Sequence, residues 1–191
     1  MDVIKEKQIG KYNIKVVRDE YPISPREDDN FGTMVCFHGR YDLGDKHDYD
    51  YRDYPGWDEM EKSIIKREDV CEIIPIYMYD HSGITINTTG FSCPWDSGQI
   101  GFIFVSKEKV REWYDIKRID SKTRERVIEH LKAEVETYDN YLTGSVYGFI
   151  IEDDEEREID SCYGYYGEDY CMTEAESIVK SYCEKDETIV K

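Results

Sequence analysis

Between residues 71 and 106 three apolar runs, CEIIPIYMY, GITINTT and QIGFIFVS, follow one another with only short polar breaks. The middle run alternates apolar and polar residues, the signature of a strand with one buried face. Parallel neighbours need crossovers of about a dozen residues or more, so breaks this short favour antiparallel pairing. Pro75 cannot donate to a ladder, which places it at an edge or a bulge.

The remaining pattern extends this core. Residues 12–18 (YNIKVVR), 31–38 (FGTMVCFH), 146–153 and 158–167 read as further strands, the last two as a hairpin around DDEER. Helical spacing appears in WDEMEKSIIKRED, with Trp57, Met60, Ile64 and Ile65 on one side. Ser106 caps a short helix, and Asp120 or Ser121 caps a longer one that runs to about Leu142 and stops at Gly144. Its stripe is Ile128, Leu131, Val135, Tyr138 and Leu142. Thr173 and Glu176 have the spacing of a capping box for a final helix over 174–184. The expectation is an α+β fold, an antiparallel sheet of about 5–7 strands with helices packed mainly on one face. A length of 191 residues suits a single globular domain over 1–191. No Gly-rich phosphate loop interrupts the pattern.

Charge narrows the function classes. The formal net charge is −18, and phosphate neutralisation dominates nucleic-acid affinity, so direct nucleic-acid binding is disfavoured. An anionic membrane surface is disfavoured for the same reason, and no run of about 18 apolar residues offers a membrane span. The opening MDVIKEKQIGKYN lacks the apolar core of a secretory signal. Six cysteines without CxxC spacing read as reduced thiols, hence a cytoplasmic protein.

The acid is clustered. Residues 42–61 hold eight acidic residues, including Asp42, Asp45, Asp48, Asp50 and Asp53, interleaved with Tyr49 and Tyr51. Residues 152–160 hold seven, beginning Glu152, Asp153, Asp154, Glu155 and Glu156. Charge this dense is self-repelling and suits a basic partner, and tyrosine supplies contact area at small entropic cost. A solvated surface is the plainer account of the same residues.

Three constellations have chemical potential. Asp80 and His81 lie in one polar break, Cys93, Trp95 and Asp96 in another. If the strands form successive hairpins these breaks sit at opposite ends of the sheet, roughly 20 Å apart at about 3.3 Å per residue. Asp, Ser and Gly are also what tight turns require. His38 and His47 flank an Asp-rich loop whose spacing matches no EF-hand, so no metal and no cofactor is expected. Cys36 and His38 share a strand face, a possible nucleophile–base pair, although apolar neighbours favour a buried structural thiol.

The segments DDNFGTMVCFHGRYDLGDKHDY, IPIYMYDHSGITINTTGFSCPWDSGQIGFIFVSKEKVREWY and EVETYDNYLTGSVYGFIIE resemble a family of small proteins carried by prokaryotic viruses and mobile elements. The resemblance spans about residues 25–170 and implies context rather than catalytic residues: an accessory protein in the cytoplasm of a prokaryotic host. With the charge, it suggests a non-enzymatic counter-defence protein of the anti-CRISPR or antirestriction type. Its acidic surfaces would imitate nucleic acid and occupy the basic channel of a host effector, through 42–61 and 152–158. The alternative is a nucleotide or small-molecule binding protein, or a hydrolase, using Asp80, His81, Trp95 and Asp96.

Overall fold

The structure, a computed structural model, describes residues 2–27 and 29–189. It is α+β, with four helices and two antiparallel sheets of four strands. The expected single sheet of about 5–7 strands is therefore two separate sheets, because strands adjacent in sequence divide between them. The chain forms two compact units, Met1–Ile23 with Asn140–Lys191 and Ser24–Asp139. Among the described residues no helix is long and apolar enough to cross a membrane.

The first unit carries Val3–Ile9 (β1), Tyr12–Arg18 (β2), Val146–Glu152 (β7) and Glu158–Tyr166 (β8), in the spatial order β1-β2-β7-β8. β1 has no apolar face to betray it: its residues are exposed or nearly so, as suits an edge strand. It pairs with β2 through a two-residue turn in which Gly10 takes φ +60°. Alternation puts Tyr12, Ile14, Val16, Tyr147, Phe149 and Ile151 on one face. That face packs against Cys171, Met172, Ala175 and Val179 of Glu168–Ile189 (α4). α4 starts before the expected cap, because the Thr173 hydroxyl donates to the Asp169 carbonyl inside the helix rather than capping it. Lys5 instead meets Glu168 and Asp169 at the helix start, at 3.3 and 3.1 Å.

The second unit carries Thr33–Cys36 (β3), Val70–Asp80 (β4), Ile84–Asn87 (β5) and Ser97–Ser106 (β6), in the order β3-β6-β4-β5. β6 has six consecutive buried residues, Ile100–Val105, which requires cover on both faces. Trp57–Arg67 (α1) supplies one cover: Met60 and Ile64 pack with Val35, Phe102 and Phe104. Ser121–Leu142 (α3) supplies the other, where Leu131 and Ile103 close over Gly32. Helices thus lie on both faces of this sheet. Val127, Leu131, Val135 and Tyr138 form the buried stripe of α3, and Ile65 of α1 faces solvent. Lys107–Trp113 (α2) begins at Ser106, whose hydroxyl accepts from Lys109 N at 3.2 Å.

Two details place the loops. β5 pairs only with Tyr77–Asp80, so Pro75 lies where β4 is an edge, next to a register shift at Ile76/Tyr77. A side chain at Gly101 would come within 1.9 Å of the Val35 carbonyl, so only glycine lets β3 lie this close to β6.

Candidate functional site

The two polar breaks that hairpin geometry would separate are side by side. β5 is only four residues long, and the segment after it does not turn straight into β6. Asn87 caps that segment, accepting from Thr89 N and Gly90 N at 3.1 and 2.7 Å. The chain then runs back to the end of the sheet where β4 finishes, with Phe91 against the Tyr79 ring at 5.8 Å. β6 therefore starts opposite the end of β4, pairing Ser97 with Tyr79, and Asp80 N donates to Asp96 O at 2.8 Å. The separation of roughly 20 Å expected from strand rise does not exist, because the connection returns rather than turns.

β3 brings in a third segment. Phe37 N donates to Ile100 O at 2.7 Å, carrying the pairing past Cys36 and delivering His38 and Arg40 to Asp80. Arg40 forms an ion pair with Asp80, and His38 Nε2 lies 3.7 Å from the same carboxylate. His38 Nδ1 accepts from Arg40 N at 3.3 Å, which leaves the proton of the neutral ring on Nε2, facing Asp80. Tyr41 stacks on His38 at 5.0 Å. Beside this group His81 Nδ1 lies 3.5 Å from Asp96 Oδ2, and the Cys93 thiol lies 3.7 Å from the same oxygen. The result is two neighbouring His–Asp pairs; His38, Asp80 and Asp96, with Met78, Trp95 and Gln99 among others, line a cleft of about 300 Å³, and His81 lies outside that lining. The Trp95 ring is 90% exposed.

His38 forms the other boundary of a larger open groove, about 1060 Å³, made by the loop over residues 36–52. The groove owes its shape to pairing across long sequence distances. Arg26, 4% exposed, bridges Asp45 at 2.5 Å and Glu134 at 2.9 Å. Burial opposes its charge, but the two carboxylates outweigh that and raise its pKa. Asp45 also accepts from Met34 N at 2.7 Å, and Glu134 accepts from Phe31 N at 2.7 Å. Tyr49 donates to Glu68 at 2.7 Å beneath the Arg67 guanidinium. Burial first, then that bond, pushes its hydroxyl pKa up. Arg67 holds Asp48 below the usual carboxylate range, and Arg52 brings Asp50 down to about 2.

Of the expected contact residues in this loop, Asp45 and Tyr49 are thus committed to the fold. Asp48 and Asp50 are paired with arginines at the surface, and Asp42, Asp53 and Tyr51 are exposed. The second acidic cluster belongs to the other unit. There Asp153 organises the β7–β8 turn, accepting from Glu155 N and Arg157 N at 2.9 and 3.0 Å and pairing with Arg157 at 2.7 Å. Glu152 meets Lys15 at 2.6 Å. Asp154, Glu155 and Glu156 face water, with Arg157 against Glu155 at 3.0 Å.

Cys36 is a structural thiol: burial, with Asp45 nearby, pushes its pKa up to about 12, and its neighbour His38 is turned to Asp80. His47 Nε2 donates to Cys36 O at 3.1 Å. Among the described residues no three His, Cys, Asp or Glu side chains are grouped so as to hold a metal. Reading the sequence alone missed His38 and Arg40 as neighbours of Asp80. The only available signal was FHGR directly after an apolar strand, and strand order is not written in that.

Comparison with protein-family models, with curated proteins and with solved structures returned no match.

Proposed function

We propose that this chain is a non-enzymatic binding protein for a basic protein surface, docking through the groove of residues 36–52. The observation that carries this reading is the groove itself: an open concavity braced by Arg26, Asp45 and Glu134, with Asp42, Asp50 and Tyr51 around it. Exposed carboxylates steer a cationic partner, and tyrosine rings supply contact area. The net charge of −18 acts in the same direction. The resemblance to proteins of prokaryotic viruses and mobile elements makes a host nucleic-acid-targeting effector the partner to try first, which would make this a cytoplasmic counter-defence protein. The test is capture of host proteins on immobilised wild type and on an Asp42→Lys/Asp53→Lys variant, at low and then high salt. A basic, nucleic-acid-handling protein held by the wild type, released by salt and lost by the variant supports the reading. Equal capture by both proteins rejects it.

A second reading is favoured by the convergence of Asp80, His81, Trp95 and Asp96, whose separation was the argument against a shared pocket. The cleft lined by Asp80, Trp95 and Asp96 fits the lower end of small-molecule sites, where a few polar groups fix orientation beside an aromatic surface. Protection of Trp95 from a collisional quencher by an added small molecule would support it. Unchanged quenching across a broad metabolite set would remove it.

A further inference from the structure

The cleft at the shared end of β4 and β6 contains groups that docking at the larger groove leaves unused. Two of the three tryptophans are packed against other rings: Trp57 against Tyr51 and Phe102, Trp113 against Phe31 and His130. Trp95 instead presents its ring to water at the cleft mouth. Its neighbour Asp96 is held through the backbone, by Asp80 N on its carbonyl. The Asp96 side chain is 40% exposed, and His81 and Cys93 approach one of its oxygens only at 3.5 and 3.7 Å. A carboxylate has about four lone-pair sites, so Asp96, which lines the cleft, retains accepting capacity for a ligand. Asp80 is differently placed, with Arg40 and His38 already on it.

The charges exclude some ligands. No Lys or Arg lines the cleft, and Arg40 is engaged by Asp80. A phosphate would therefore meet two lining carboxylates, with Arg40 outside the lining and paired to one of them, inside a protein of net charge −18. What fits is a neutral, planar molecule with a stacking face and N–H donors along one edge.

We propose that this cleft is a nucleoside site, in which Trp95 stacks on the base and Asp96 accepts N–H groups from its hydrogen-bonding edge. The proposal rests on the small-molecule reading of the cleft and names its ligand class. Guanosine is the best match, because adjacent ring and amino N–H donors can bind one carboxylate through both oxygens. A nucleoside carries no phosphate, so the charge that repels a strand does not repel it.

The experiment is a calorimetric titration, paralleled by tryptophan fluorescence, with guanosine, adenosine, cytidine and uridine in turn. Guanosine monophosphate, a short oligonucleotide and benzamidine (a planar amidinium without a sugar) complete the set. Guanosine is expected to saturate the protein, and its monophosphate and the oligonucleotide to bind no more tightly. Trp95→Ala should weaken guanosine about tenfold or more, given what stacking contributes per base. Asp96→Asn keeps the backbone bond and the shape, and should weaken guanosine far more than uridine. Saturation by benzamidine but by no nucleoside overturns the ligand class and leaves the small-molecule reading in place. No saturation by any probe overturns the nucleoside proposal, and the small-molecule reading falls with it only when the broad metabolite set also leaves quenching unchanged. Tighter binding of the phosphate-bearing probes, or unchanged affinity in both variants, also overturns the proposal.

Discussion

The acidic segments at 42–53 and 152–158 have similar compositions and different constructions. The second is a local turn: Asp153 accepts backbone donors two and four residues ahead and pairs with Arg157. The bonds shaping its tip lie within a few residues, and only Glu152 at its base reaches a distant partner, Lys15. The first is held from outside by Arg26, Glu68, Arg67 and Tyr138, at sequence distances of 19 to 94 residues, with Glu134 in turn fixing Arg26. A turn presents charge, whereas a loop braced by distant residues encloses space, here the groove of residues 36–52. Acid content alone does not identify an interface, because part of it is consumed in building the surface that the remainder occupies.

This contrast can be broken most directly at Arg26. Arg26→Ala leaves Asp45 and Glu134 without their shared cation in a mostly buried setting, and removing one partner of a buried pair costs about 3–5 kcal/mol. Chemical denaturation should show that loss, whereas Arg157→Ala in the turn should leave the midpoint almost unmoved, as exposed pairs do. Equal effects would erase the distinction.

Leu131→Ala tests the same dependence without charge. It opens a cavity where α3 meets Ile103 and Gly32, and should cost about 2–5 kcal/mol. Crosspeaks of the loop over 36–52 should move with it in an amide NMR spectrum, since α3 carries Glu134 and Tyr138, which bond that loop and its flanks.

Charge reversal separates the two segments functionally. Asp42→Lys/Asp53→Lys should slow association with a basic partner about tenfold or more. Asp154→Lys/Glu155→Lys, on the turn, should change it far less. The reverse order in a surface-resonance measurement would move the docking site to the turn.

The smallest effect is a titration. Arg52→Gln removes the cation that holds Asp50 at about 2, so its pKa should rise toward the ordinary 3.8, read by carboxyl NMR. A pKa depressed in the folded state contributes stability that is present above the unfolded value and lost as pH falls through the folded one. The contribution of Asp50 therefore disappears between about pH 4 and 2, and should shrink in the variant to what the retained backbone N–H bond of residue 52 supplies.

Periodicity and capping chemistry are local, and what depends on them was readable. The caps of α2 and α3, the stripe of Leu131, Val135 and Tyr138, the β7–β8 hairpin and the antiparallel α+β class follow from spacing of residues within a single element. β1 escaped because an edge strand buries too little to impose a pattern, and α4 started early because Thr173 bonds within the helix. The number of sheets and the meeting of Asp80, His38 and Asp96 depended on which strands pair and on the return path after β5. Pairing is decided by how apolar faces from distant segments are jointly covered, and that information is held in no single stretch of chain. The sequence by itself determined most of the elements, the charge and the residues with chemical potential. The tertiary structure decided which acids brace the loop, which remain exposed, and that two polar breaks share one cleft.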